Sequence, residues 1–446
     1  MTSSPRKKKG WILFFCFFLI PILVITAANE LLLRTDAHSY YTFWELSQRD
    51  DIELALVGSS IVFSNLNPEM ITEKTGLETY SVTIGHMCMQ GALAATKLMY
   101  QSNTPEHVVL VVESDTFSLT YEDIQTQMRL SPFLIKHPLI YLQYYLDLCS
   151  QDHKYLDRIL LFKSMFARNL DDVKHSIALR TDPQGYFPES GLTGGLEVYE
   201  GRGFLRYTAD GHGYDLLRFT PLKPQLADAT AGLRDYSKRK LLEYRDLCEK
   251  HGSKLTVVIS PNMTAQGLGR IGFLEKNTAL IDFCQSEGIP VFDMSMAKRG
   301  FIPLLDPYYH DLYHMAGEGA DIYSDKFADF FNLYLSGEPV DHLFYATLDE
   351  YLDSIDFITN TWLDKHSENG EDIYTADCLR GRTVTPEYAF YLLGENNSHE
   401  LLRAYSADAE YRCPAGAFSG RKIRVYARPQ GTDEELTHIY NDYMNP

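Results

Sequence analysis

Two short segments, far apart in the chain, hold the residue types that nucleophilic catalysis needs. Gly58-Ser59-Ser60 offers a serine hydroxyl, and Asp311-x-x-His314 offers an imidazole with a carboxylate three residues ahead of it. A serine is a weak nucleophile until a base takes its proton. An imidazole serves as that base when a carboxylate fixes its tautomer and stabilises its charged form. The same stretch, His310-Asp311-Leu312-Tyr313-His314, also reads as two histidines four apart with an acid between them, the spacing of a zinc-binding helix. That alternative requires the five residues to be helical, a third ligand from elsewhere and a Glu where Asp311 stands. Pro307 upstream and Gly317 and Gly319 downstream instead predict a loop entering a helix that begins after His314. A pair of surface histidines without a chemical task is the third reading.

The elements that must position these groups follow from periodicity. "DIELALVGSS" is a short apolar run ending at Gly58, the pattern of a buried strand running into a tight turn. "TYSVTIG", "HVVLVVESD", "KLTVVISPN" and "IPVFDMS" repeat that pattern, and amphipathic stretches such as "MQGALAATKLMYQS" and "YSKRKLLEYRDLCEKHG" lie between them. Five apolar strands alternating with helices predict an α/β fold, a doubly wound parallel sheet with both faces covered. Ligands of such sheets bind at the strands' carboxyl ends. Those ends carry Ser59 and Ser60, Gly85 and His86, Glu113 to Asp115, Ser260 to Asn262, and then Asp311 and His314.

Gly58-Ser59-Ser60 after the first strand, a glycine after the second and Asp311-x-x-His314 before the last helix resemble the SGNH, or GDSL-type, hydrolase superfamily over about residues 50–335. "GSS" in place of Gly-Asp-Ser, with "LNPEMITEKTGLETYSV" soon after, is most similar to the membrane-anchored bacterial envelope members, relatives of the D-alanyl transfer protein of teichoic-acid modification. The resemblance implies a three-layer flavodoxin-like sheet and a catalytic triad of Ser60, His314 and Asp311. It also implies an oxyanion hole from Ser60 and Gly85, and no metal or cofactor. The family's third block supplies an Asn donor, whereas this chain has Glu113-Ser114-Asp115 there, and an ionised acid aimed at an oxyanion repels it. Asn262 is the candidate substitute. Each position also has an ordinary reading: Ser60 or Ser59 as a helix N-cap, Gly85 and Asn262 as turn residues, and His86 as a loop residue beside the pocket.

More than a hundred residues separate the third and fourth strands, far beyond a crossover helix, so an insertion over about 120–230 is expected. Its first half looks helical and aromatic; its second, "DPQGYFPESGLTGGLEVYEGRGFLRYTADGHGYD", looks like Gly- and Tyr-rich loop. Placed over the strand ends it is a cap, its aromatics serving either sugar stacking or core packing. Residues 336–372 read as an acidic connector. Residues 373–446 alternate strand-like runs with turns, which predicts a β-sandwich-like domain similar to immunoglobulin-like modules of bacterial surface proteins. It is read either as a packing domain or as a glycan-binding module.

Composition bounds the rest. The chain has 446 residues, 45% hydrophobic and 23% charged, enough for a large core and several domains. A net charge of −19 argues against nucleic-acid binding, because phosphate contacts need clustered cations. The one strongly basic cluster, "RKKKG" within residues 1–10, precedes the apolar run "WILFFCFFLIPILVITAA" at 11–28. As a helix that run spans about 27 Å, just sufficient to cross a bilayer. Flanking cations keep the N-terminus inside and the remainder outside the membrane. A cleaved signal peptide is the competing reading, with small residues at Ala27 and Ala28.

The seven cysteines show no metal-ligand spacing; a Cys378–Cys413 bridge and buried free thiols both remain open. The expectation is therefore an anchored, extracytoplasmic acyl-esterase or O-acyltransferase. Its partners would be the membrane, an acylated envelope glycan or polymer, and a membrane acyl-transfer protein. The alternative is a catalytically inactive binding or assembly protein.

Overall fold

The computed structural model describes residues 37–117, 128–134, 136–151, 169–184, 196–208, 211–219, 233–270, 272–394, 398–432 and 439–446, with parts of 14–28. Its centre is a sheet of β1 (Leu54–Gly58), β2 (Thr79–Thr83), β3 (His107–Val112), β6 (Lys254–Ile259) and β7 (Val291–Asp293). The order is β2-β1-β3-β6-β7 and every neighbouring pair is parallel. All residues of β1, β2 and β3 are buried, which is why they read as continuous apolar runs rather than as alternation.

Helices cover both faces. Ala37–Leu46, Met89–Met99, Pro138–Gln151 and Asp235–Lys250 pack on one core; Ser60–Asn65, Pro68–Thr75 and Gly317–Leu335 pack on the other. The last of these carries Phe327, Phe330 and Phe331, all fully buried. Each such ring contributes on the order of 2–3 kcal/mol through the apolar surface it removes from water.

The turn that ends β1 is set by crowding. A Cβ on Gly58 would lie 2.7 Å from the Val111 carbonyl oxygen and 2.5 Å from Val62 Cγ2, so no side chain fits. The chain leaves the sheet there, with Ser59 extended and Ser60 as the first residue of the helix Ser60–Asn65.

The insertion contains helices, as expected, but its second half is not all loop. Strands β4 (Glu197–Gly201) and β5 (Phe204–Tyr207) form a hairpin whose turn, Gly201-Arg202-Gly203, has three successive positive φ angles. Arg202 donates to Glu78, and Arg206 forks onto Asp321 at 2.8 and 3.0 Å. The hairpin is thereby fastened to both the sheet edge and the last helix.

Beyond the α/β part, two antiparallel sheets share one core of Leu363, Tyr374, Phe390 and Val425. One holds β8 (Ile358–Glu368), β9 (Glu371–Arg380) and β12 (Glu410–Pro414); the other holds β10 (Pro386–Leu393), β11 (His399–Ser406), β13 (Lys422–Pro429) and β14 (Tyr440–Met444). Strand β8 lies within the stretch read as a connector. It joins β9 through Asn369-Gly370, both at positive φ, a two-residue hairpin turn. Tyr440 docks this unit onto the helix Gly213–Phe219: the guanidinium of Arg218 lies 4.0 Å from its ring centre and that of Arg424 lies 3.8 Å away.

The bridge between Cys378 and Cys413 does not form. Cys413 pairs with Asp372 on β9, and Cys378 stands six residues further along that strand, on the order of 20 Å away and beyond disulfide reach. Both are buried free thiols, as are Cys248 and Cys284; Cys88 is buried too, and the Cys149 side chain lies outside the described residues. Among the described residues no helix is long and apolar enough to cross a membrane. Of the stretch expected to anchor the chain, residues 11–13, 15, 18 and 26 lie outside the description, as do residues 1–10. The helical residues given there include Phe17, Leu19, Ile22 and Val24, between 53 and 73% exposed.

Removing one aromatic ring tests the packing of the last helix. Phe331→Ala should lower the unfolding free energy in urea by about 3–5 kcal/mol, whereas Leu335→Ala, 38% exposed in the native helix, should cost less than about 1 kcal/mol. Equal effects from the two would contradict the packing described.

Candidate active site

Asp311 and His314 sit in a bent loop between Tyr309 and Met315, which form a bridge with each other. The loop closes through His310 N–H donating to the His314 carbonyl at 2.7 Å. One Asp311 oxygen accepts the backbone N–H groups of Tyr313 and His314, both at 2.8 Å, and the other meets His314 Nδ1 at 2.7 Å. Burial raises the Asp311 pKa, but the His314 ring and these N–H groups outweigh it and hold the carboxyl below the ordinary carboxylate range. Where the neutral ring gives its Nδ1–H to that carboxylate, Nε2 carries the lone pair. Among the described residues that nitrogen is buried and meets no hydrogen-bond partner.

This geometry bears on the zinc alternative. The segment is not helical, and among the described residues no group of three or more His, Cys, Asp or Glu could hold a metal ion. His310 and His314 are brought together by the loop, and both imidazoles stack on the ring of Tyr207, with centroids 4.4 and 5.6 Å away. Burial, together with His212 and His314, lowers the His310 pKa.

Ser60 stands at the carboxyl end of β1. The hydroxyl of Ser59, not that of Ser60, occupies the capping position, and it makes no cap bond because it donates to Glu113 Oε1 at 2.9 Å. The helix headed by Ser60 ends at Asn65, whose Oδ1 accepts Met315 N–H at 2.9 Å and whose Nδ2 donates to the Tyr313 carbonyl at 3.5 Å. Ser60 and the His314 loop are thus fastened to opposite ends of one short helix. Among the described residues no hydrogen bond joins Ser60 Oγ to His314 Nε2. Catalytic hydrogen bonds in unliganded enzymes are often long and tighten only with substrate.

The oxyanion candidates divide. Gly85 lies on the turn after β2, followed by His86 at φ 51°, a left-handed conformation unusual for a non-glycine residue. Gly85 itself needs no positive φ; its Cβ site is taken instead by Arg129, whose Nη1 would lie 2.9 Å from such an atom. Asn262 donates its amide to the Ser260 carbonyl at 3.2 Å, a bond within its own turn. The side chains of Ser114 and Asp115 lie outside the described residues.

Sequence reasoning passed over Asn65, Arg129, Tyr207 and Asp306. The first is a polar residue closing a helix, a weak signal. Arg129 and Tyr207 lie in the insertion, where no strand pattern fixes a position relative to Ser60. Asp306 is fully enclosed and accepts both the N–H of Thr264 at 3.0 Å and its hydroxyl at 3.1 Å, which ties the loop before His310 to the segment after β6. No protein-family model matches this chain, and no curated protein matches its sequence.

Burial pushes the Asp306 carboxyl up to about 6, against the pull of Thr264. An unfolded Asp titrates near 3.9, so between those values the folded protein holds a proton that the unfolded chain has released. Stability should therefore fall as pH rises from about 4 through about 6. Asp306→Asn should flatten part of that slope in urea midpoints measured across the window. Asp293, likewise pushed up to about 6, keeps its own share. An unchanged slope would show that Asp306 is not the proton holder.

Proposed function

We propose that this chain is a membrane-anchored, extracytoplasmic serine acyl-esterase or O-acyltransferase with an SGNH-type, flavodoxin-like domain, acting on an acylated envelope glycan or related polymer. The observation that carries the reading is the 2.7 Å pairing of Asp311 with His314, whose Nε2 meets no partner among the described residues. The loop that holds the pair packs, through Tyr309 and Met315, into the same core as Ile61 and Val62 of the helix that Ser60 opens.

In the proposed reaction His314 Nε2 takes the Ser60 proton as Oγ bonds to the ester carbonyl carbon, and the carbonyl π pair moves onto oxygen. Backbone N–H groups near Ser60 and Gly85 face that charge. Collapse breaks the bond to the leaving oxygen, which takes the proton back from His314. Water or a glycan hydroxyl then attacks the acyl-serine by the same route. Asp311 keeps the ring oriented and stabilises its cation throughout. Exposed apolar residues in the helical parts of 14–28, beside the basic cluster, support a single anchor with the N-terminus inside. Anchoring favours a lipid- or wall-linked polymer over a small soluble ester, with a membrane acyl-transfer protein as the donor partner.

A second reading, a catalytically silent binding or assembly protein, draws on Glu113. An acid occupies the third strand end, where it accepts from Ser59 at 2.9 Å.

Hydrolysis of p-nitrophenyl acetate by the full-length chain separates the two. Ser60→Ala should remove the activity, and Asp311→Asn should lower kcat by about 10²–10⁴ through the wrong imidazole tautomer. A Ser60→Ala variant as active as the wild type would rule out the enzyme reading.

A further inference from the structure

A serine esterase needs donors aimed at the oxygen that becomes negative, and two candidate side chains are otherwise engaged. Glu113, at the third strand end, is an acceptor turned to Ser59, and Asn262 is bonded within its own turn. What approaches the oxyanion turn instead is a cation. Arg129 Nη1 lies where a side chain on Gly85 would begin, 2.9 Å from the Cβ position.

The sheet register brings that cation to the same end of the sheet as the seryl turn. Gly58 pairs with Thr83 at the last position of the parallel pair, so the segments that carry Ser60 and Gly85 leave neighbouring strands at their carboxyl ends. A guanidinium seated on Gly85 shares that edge with the seryl turn. Its own turn, Met128–Leu130, is fixed by packing: Leu130 and Leu134 are fully buried, and Phe133 meets Tyr40 and Phe43 at ring distances of 5.0 and 5.6 Å. Arg129 itself is half-buried.

Resting on the esterase reading, we propose that Arg129 is the cationic member of the oxyanion site, taking the place of the family's amide donor. An Nη–H donates to the carbonyl oxygen as the Ser60 oxygen bonds to carbon and the π pair moves outward. The arginine supplies a hydrogen bond and takes no part in the proton transfer between Ser60 and His314. Its positive charge also offsets that of the Glu113 carboxylate, which accepts from Ser59. A Cβ at position 85 would oblige the end of the arginine side chain to shift.

Steady-state hydrolysis of p-nitrophenyl acetate by full-length wild type, Arg129→Ala and Arg129→Lys tests it. Arg129→Ala should lower kcat by about 10²-fold with KM little changed, the size of losing one oxyanion donor. Guanidinium at non-denaturing concentration should restore part of the rate, and Arg129→Lys should fall between, with unfolding midpoints close to wild type. An Arg129→Ala rate within about 3-fold of wild type, or a loss that follows the unfolding midpoint and is not rescued, overturns the proposal. If the wild type itself shows no Ser60-dependent turnover, the esterase reading has failed and this one falls with it. Ser60-dependent turnover indifferent to Arg129 overturns the arginine's role alone.

Discussion

One carboxylate does two jobs here, and the site's geometry depends on it. Asp311 accepts two backbone N–H groups of its own loop with one oxygen and holds the imidazole of His314 with the other. Loop shape and ring orientation are therefore a single structural fact, and neither changes without the other. Asn65 secures the same loop from the opposite side by bonding Met315 N–H, so the loop is referenced to the helix that begins at Ser60. Removing either clasp leaves backbone donors or acceptors to find new partners, which is costly where water is excluded.

Enclosure gives this pair its chemical character. Tyr207 stacks on both His310 and His314, and the hairpin that carries it is pinned by Arg202 to Glu78 and by Arg206 to Asp321. The imidazole's second nitrogen is thus shielded and meets no partner among the described residues. In surroundings of low dielectric, a polar atom so placed interacts more strongly with a charged or polar neighbour than it does in water. Arg129 approaches the turn after β2, and Glu113 at the end of β3 accepts from Ser59.

The parallel sheet was legible because its strands are buried on both faces and so read as unbroken apolar runs, as in "ALVG" and "HVVLVV". The loop at 310–314 was legible too, since Pro307 and the glycines at 317 and 319 bracket it. Strand β8 was hidden by composition: its outer half, ending in Lys365 to Glu368, is mostly exposed and charged, so it reads as an acidic connector. The Asn369-Gly370 turn signal was nonetheless there to be weighed. Arg129 and Tyr207 were not legible. Their places beside Gly85 and His314 arise from packing between segments distant in the chain, and no local pattern encodes such contacts.

The most direct measurement is the mapping of a fluorophosphonate adduct on the full-length chain by mass spectrometry. The account predicts one modified serine, Ser60, and loss of that adduct when His314 is replaced by Ala. Absence of any adduct, or modification of Ser60 that proceeds equally without His314, would contradict a site in which this imidazole activates this hydroxyl.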